Sequence, residues 1–217
     1  MPSSKPMVAL PATHSPLSSE EYLAAEADSP TKHEYRDGEV YAMAGGTDAH
    51  VTIALNLWAL LRGHLRTGKC RAYALDMKAC IETLNRYYYP DVMVTCDDRD
   101  RANTTCKRHP CLIVEVLSEG TEAFDRGDKF FDYRHLDSLQ EYVLISQTRP
   151  HAEVFRRNAE GLWVLHPHSE GDTLTLTSVG WAGSMAALYE AVEFSPSIPE
   201  PDGETDGQTI GGGAEAS

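Results

Sequence analysis

This sequence predicts an α/β fold of the α+β kind: a central mixed β-sheet flanked by helices. Three observations support it. Residues 50–65 carry Val51, Ala54, Leu57, Trp58, Leu61 and Leu65 at i, i+3 and i+4 spacing, the clearest amphipathic helix in the chain. Leu112-Ile113-Val114-Glu115-Val116-Leu117 is apolar on both faces of a strand, as in a sheet covered on both sides. From His50 onward the segments read helix, strand, strand, strand, helix, strand, so the two types interleave.

Size and composition agree. A chain of 217 residues can bury a full core, and 41% apolar residues is ordinary for a globular protein. No run of about 18 apolar residues suggests a membrane span. Residues 1–17 lack the apolar core of a signal peptide and read as a flexible lead-in. Residues 18–194 read as one folded domain. Residues 195–217 hold Glu200, Asp202, Glu204, Asp206 and Glu215, several glycines and no Lys or Arg, and read as a disordered acidic tail whose deletion leaves stability nearly unchanged. The five cysteines, Cys70, Cys80, Cys96, Cys106 and Cys111, are odd in number with no Cys-x-x-Cys spacing, which argues against structural zinc. With no export signal, reduced thiols in a cytoplasm are expected. The net charge of −14 argues against broad nucleic-acid binding, so any such contact must come from a local basic patch.

In order, Ser18 and Ser19 ahead of Glu20 and Glu21 signal a helix N-terminus, and a short helix runs to about Ala27. Asp37-Gly38 turns a hairpin over residues 32–43, flanked by Glu34 and Glu39. Residues 70–82 and 87–95 read as two strands, and 97–107 as a polar surface loop. The apolar strand with Glu115 follows Pro110. Residues 125–136 form a second helix, 139–146 a strand, 149–156 with 161–167 a hairpin, and 174–179 one more strand. His166 and His168 alternate on one strand face, most simply as a solvated pair. A short helix over 185–192 ends the folded part.

Two acids stand out. Glu115 lies inside a buried apolar strand, where a carboxylate is costly unless paired or holding a cation. Asp91 follows Pro90, whose missing N–H marks a strand start or bulge. From adjacent strands the two can converge on one hard cation. The alternative is a buried acid paired with Arg or Lys for structural reasons.

The ordered set His33-Glu34 with Asp37-Gly38-Glu39, His50, Tyr89-Pro90-Asp91-Val92, Ile113-Val114-Glu115-Val116-Leu117-Ser118, Asp128-Lys129 with Tyr133, and Glu141-Tyr142 resembles the Uma2 (DUF820) family of restriction-endonuclease-like proteins. The resemblance runs from about Ser18 to Ala191. It implies the PD-(D/E)xK nuclease core, with an additional N-terminal hairpin and C-terminal strands. It also implies Asp91 and Glu115 as metal ligands, with the Val116 carbonyl a candidate third. One position departs. Leu117 stands where the superfamily has its lysine, so the resemblance assigns that role to Lys129 in the following helix. Glu39 and His50 are further candidates, with Glu34 the alternative to Glu39.

The expected function is a Mg²⁺-dependent endonuclease, with Mn²⁺ a substitute, hydrolysing phosphodiester bonds of DNA. A non-catalytic binding or assembly module on the same fold is the other reading. A homodimer is expected on the ground that nucleases often pair to cut two strands. On spacing alone Lys129 could equally form a surface ion pair with Asp125 or Asp132. The resemblance brings the Lys129 ammonium near both carboxylates, so its loss is expected to abolish cleavage, while any surface pair it makes is weak enough to leave folding intact.

Overall fold

The computed structural model describes residues 16–194; the lead-in through residue 15 and the acidic tail lie outside them. Helix α1 (Ser19–Ala27) is closed by a capping box: the Ser18 hydroxyl accepts the Glu21 N–H, and Glu21 accepts the Ser18 N–H at 2.9 Å. Strands β1 (His33–Arg36) and β2 (Glu39–Ala42) form the expected hairpin. Asp37 and Gly38 both have positive φ, 48° and 101°, as a two-residue type I′ turn requires. The end of the lead-in is docked rather than free. The Leu17 N–H bonds the Gly38 carbonyl at 3.2 Å, and the Tyr35 hydroxyl donates to the Leu17 carbonyl at 2.7 Å.

Helix α2 (Asp48–Leu65) begins two residues earlier than expected because the Thr47 hydroxyl accepts the His50 N–H at 3.2 Å. Its buried stripe is Ile53, Ala54, Leu57, Leu61 and Leu65, with Val51 only half-buried. The stripe packs on a core that includes Val92, Val94, Leu112, Val114 and Val116. Each large aliphatic side chain so buried contributes about 1.5–3 kcal/mol.

The strands expected at 70–82 and 87–95 are each two strands, in two different sheets. β3 (Arg71–Ala74) and β6 (Val92–Thr95) pair antiparallel in one sheet, while β4 (Lys78–Ile81) and β5 (Arg86–Tyr88) pair antiparallel in another. The segment is one long hairpin bent across a seam. Pro90 removes the ladder donor on one arm, and Leu75 takes a positive φ of 60° on the other. The Leu75 N–H donates to the Asp91 carbonyl at 3.2 Å and ties the two kinks together. Apolar patterning continues through both kinks, so the sequence reads as unbroken.

Residues 97–107 are likewise more than a surface loop. They hold α3 (Arg99–Ala102) and β7 (Cys106–Lys107), anchored by the buried Asp100. Its carboxylate accepts the Thr95 hydroxyl at 2.7 Å and the N–H groups of Arg108 and His109 at 2.8 and 3.0 Å. Strand β8 (Pro110–Leu117) follows, buried throughout. The second helix starts earlier than expected, as α4 (Glu122–Phe124), widens into a π turn over Asp125–Lys129, and ends as α5 (Phe130–Tyr133). Then come β9 (Glu141–Ser146), the hairpin β10 (His151–Arg157) and β11 (Trp163–Ser169), β12 (Thr173–Leu176), β13 (Trp181–Ser184) and α6 (Met185–Leu188). β13 is an addition to the expected elements; among the described residues it pairs only with β12.

The six-stranded sheet runs β11-β10-β9-β8-β6-β3 and the five-stranded sheet β2-β1-β5-β4-β7. Both are mixed, since β8 pairs parallel with β9 and β4 with β7. The helix after β8 covers the face opposite α2, over Met93, Ile113, Leu117, Tyr142 and Leu144. Among the described residues no helix is long and apolar enough to cross a membrane.

The thiols depart from expectation. Cys70 is bonded to Cys96 and Cys80 to Cys106, and the free Cys111 is buried, its thiol pushed up to about 11 by that burial. Chain spacing hides these pairs, and strand register makes the first of them. Arg71 stands opposite Thr95, so the residues just outside that pair, Cys70 and Cys96, meet at the end of β3 and β6.

Glu141 is fully buried, yet structural. It accepts hydrogen bonds from the Ser178 and Thr177 N–H and hydroxyl groups and from Arg156 Nε at 2.8 Å. Burial alone raises a carboxyl pKa, but the bonds from Ser178, Arg156 and Thr177 outweigh it and hold Glu141 below its ordinary value. Its stabilisation is therefore present above the ordinary carboxylate pKa and is lost as pH falls through the lowered one. Glu141→Ala is expected to cost roughly 2–4 kcal/mol at pH 7, since several buried donors lose their acceptor. Melting curves at pH 7 and below pH 4 check this: the gap to wild type should narrow at the lower pH.

Candidate active site

The seam between the two sheets leaves backbone groups without ladder partners, and acids fill the vacancies. β6 stops at Val92 where the chain kinks at Pro90, so β8 runs on past it. The Val116 N–H that would bond a longer β6 instead donates to Asp91 Oδ2 at 2.7 Å. On the other side of the kink, the Tyr89 N–H donates to Glu34 Oε1 at 3.2 Å.

The register fixes the geometry of the two principal acids. Val92 pairs with Val114 and Met93 with Ile113. Carried one step past Val92, this register leads toward Asp91 and Glu115, and the Asp91 carboxylate is held on the N–H of Val116, the residue next to Glu115. Glu115 is 3% exposed. Its Oε1 lies 3.1 Å from Lys129 Nζ and accepts the Tyr133 hydroxyl at 3.1 Å.

Lys129 is 5% exposed, so the surface ion pair considered for it does not describe it. Its ammonium lies 3.0 Å from Glu34 and 3.4 Å from Asp125 as well as beside Glu115. The π turn helps aim it, since Asp125 and Lys129 at its two ends both point inward. Leu117, in the place of the expected lysine, is buried in the apolar core under the helix. Arg126, the other cation of this helix, is turned away to Glu122 and Glu153.

His50, in the first turn of α2, places Nε2 2.9 Å from Asp91 Oδ1. Its Nδ1 is buried and has no hydrogen-bond partner among the described residues. Of the hairpin acids, Glu34 joins the cluster. Glu39 is exposed and bonded to the Tyr41 hydroxyl, so the candidate role given to it falls to Glu34 in this geometry. Asp125 was missed by sequence reasoning. Its one signal was the i, i+4 spacing to Lys129, which reads as a surface pair.

The electrostatics are unbalanced toward negative charge. Four carboxylates, from Glu34, Asp91, Glu115 and Asp125, face one lysine and one histidine. Burial raises the Glu115 pKa well above its ordinary value; Lys129 opposes this, while Asp125, Asp91 and Glu34 reinforce it. Burial works against the Lys129 ammonium, but Glu115, Glu34 and Asp125 outweigh it and keep the lysine charged. For His50, burial favours the neutral ring, and the Asp91 contact overcomes it and raises the pKa. Among the described residues no three His, Cys, Asp or Glu side chains converge at metal-ligand spacing. A metal here would rest on two carboxylates and water.

Comparisons with known proteins agree with the fold and its likeness to nucleases. The family model Uma2, described as "Putative restriction endonuclease", matches residues 19–186. Two proteins of Synechocystis sp. are similar. "Uncharacterized protein slr1290" is 42% identical over 178 residues, covering 82% of this chain and 94% of the relative. "Uncharacterized protein sll1609" is 33% identical over 156 residues, covering 71% and 88%. A crystal structure from Anabaena variabilis, described as "a putative nuclease belonging to DUF820", superposes with a TM-score of 0.66 at 16% identity, covering 80% of this chain and 98% of that one. At that identity the likeness is one of fold.

Proposed function

Because the chain belongs to the Uma2 family of restriction-endonuclease-like proteins, we propose that it is a Mg²⁺-dependent endonuclease that hydrolyses phosphodiester bonds of DNA. The observation that carries this reading is Asp91 bonded to the N–H of Val116, the residue next to Glu115, with the Lys129 ammonium 3.1 Å from Glu115.

The donor set fits magnesium. Mg²⁺ takes oxygen ligands and keeps several waters, so two carboxylates suffice, and each has lone pairs beyond those in its present contacts. The excess of negative charge, with Glu115 pushed toward its neutral form by burial and neighbouring acids, is what a cation relieves. When bound, the metal lowers the pKa of a coordinated water and withdraws charge from the phosphate. Asp91 and Glu115 would hold it. His50 and the Val116 N–H orient Asp91, and Lys129 and Tyr133 orient Glu115. The lysine also supplies a fixed positive charge beside the position where charge develops on the phosphate oxygens. Water adds at phosphorus and gives up a proton, the bond from phosphorus to one deoxyribose oxygen breaks, and that oxygen takes up a proton and leaves as an alcohol.

One observation favours the second reading, a non-catalytic module that keeps the fold. Lys129 already faces three carboxylates, as in a structural ion network. A plasmid-cleavage assay decides between them. Purified protein is expected to cleave with Mg²⁺ or Mn²⁺ and to stop with EDTA. Asp91→Ala is expected to lose at least on the order of 10²–10³ in rate, by analogy with removal of one electrostatic stabiliser. Inactivity of the wild type with both metals on DNA and RNA gives the lead to the non-catalytic module.

A further inference from the structure

We infer that the surface made by the C-terminal end of α2 and the start of β3 docks the phosphate backbone of a DNA duplex beside the cleavage site. This rests on the nuclease reading above and names where its substrate is held. The first ground is charge. Residues 49–75 contain no Asp or Glu, in a chain of net charge −14. Within that stretch Arg62, Arg66, Lys69 and Arg71 are all exposed. Asp97 and Asp98, just past the β6 end that pairs with Arg71, are taken by Arg99 and Arg101 at 2.6 and 3.0 Å. Among the described residues none of the four cations forms an ion pair, so a polyanion meets uncompensated positive charge. Arg101 adjoins them, its Nη2 donating to the Lys69 carbonyl at 3.4 Å.

The second ground is position. β3 is the free edge of the six-stranded sheet and runs from this surface to the seam. Arg71 stands opposite Thr95, Ala74 opposite Val92, and the Leu75 N–H bonds the Asp91 carbonyl. Arg71 is therefore four residues, roughly 13 Å, along the edge strand from the level of Asp91. On the helix the same span runs from His50, which touches Asp91, to Arg66, roughly 24 Å at 1.5 Å per residue. At 3.4 Å per base pair these distances correspond to roughly four to seven base pairs. A duplex cut at the seam thus carries its next phosphates over the acid-free surface. Arg62 lies over the Trp58 ring at 5.5 Å and also serves packing. The clean test residues are Arg66, Lys69 and Arg71.

The experiment measures fluorescence anisotropy of a labelled 20-base-pair duplex, without divalent metal, from 50 to 200 mM salt. The full chain is compared with Arg66→Gln/Lys69→Gln/Arg71→Gln, whose unchanged melting temperature shows that it folds. The wild type should bind, and the variant should lose roughly one to two decades of affinity, with a log–log salt slope shallower by about 2–3. In cleavage with Mg²⁺ the variant should raise KM and leave kcat near the wild-type value. Equal affinity and slope for both proteins, or no duplex binding by the wild type at 50 mM salt, overturns the inference. If wild type cleaves and the variant matches its KM, the surface is wrong and the nuclease reading stands. If binding depends on the surface but no cleavage occurs with any metal, the surface stands and the nuclease reading falls.

Discussion

Lys129→Ala should destabilise the protein by about 3–5 kcal/mol at neutral pH, because it leaves Glu34, Glu115 and Asp125 buried without their shared cation. This reverses the expectation from sequence, on which a surface lysine could be lost with folding intact. The pH dependence follows from sign. Without the ammonium Glu115, already pushed above its ordinary pKa by burial, loses the charge that opposes that shift and is raised further. The cost is full above that raised folded pKa, shrinks as pH falls through it, and is gone below the unfolded carboxylate pKa, where both states are protonated. Urea titrations of wild type and variant at pH 7 and pH 4 measure this, and the gap should be larger at pH 7. Adding Glu34→Gln should recover part of the loss, since the two residues are in contact. A variant within about 0.5 kcal/mol of wild type would mean that the ammonium is solvated. Loss of cleavage in Lys129→Ala therefore counts as a catalytic effect only when measured below the variant's unfolding midpoint.

Leu57→Asp should unfold the protein at room temperature. Leu57 is fully buried at the middle of the α2 stripe, against the six-stranded sheet. An aspartate there either stays charged without a partner or takes up a proton. Added to the lost aliphatic contacts, the cost exceeds about 4 kcal/mol, much of the 5–15 kcal/mol that holds a domain together. Near-UV circular dichroism reads the outcome directly. A native spectrum with an unchanged thermal midpoint would show α2 to be peripheral to the core.

Much of this fold was legible because local rules agreed with the tertiary outcome. Ser18 and Thr47 announce helix starts, Asp37-Gly38 announces its turn, and the α2 stripe announces a buried face. The strand with Glu115 could be read as covered on both sides because nothing polar interrupts it except the acid itself. What escaped the sequence depends on pairing between distant segments. The seam through Leu75 and Pro90 splits two apparently continuous strands between sheets, and Pro90 alone hinted at it. The Cys70–Cys96 pair follows from register. The choice of Glu34 over Glu39 depends on which end of a short hairpin overhangs the helix after β8. Burial of Lys129 could not be read from a helix whose other cations are solvated.

The charged centre at the seam also bears on when the protein becomes itself. Its members come from β1, the kink before β6, β8, the π turn and the start of α2, segments far apart along the chain. No local hairpin or helix contains more than a fraction of it. Loop-closure entropy must be met for each segment before the group can gather, and four acids brought near one another early repel. The group is therefore expected to assemble late in folding. In a refolding experiment, recovery of cleavage should trail recovery of helical signal, making activity a reporter of the completed native state.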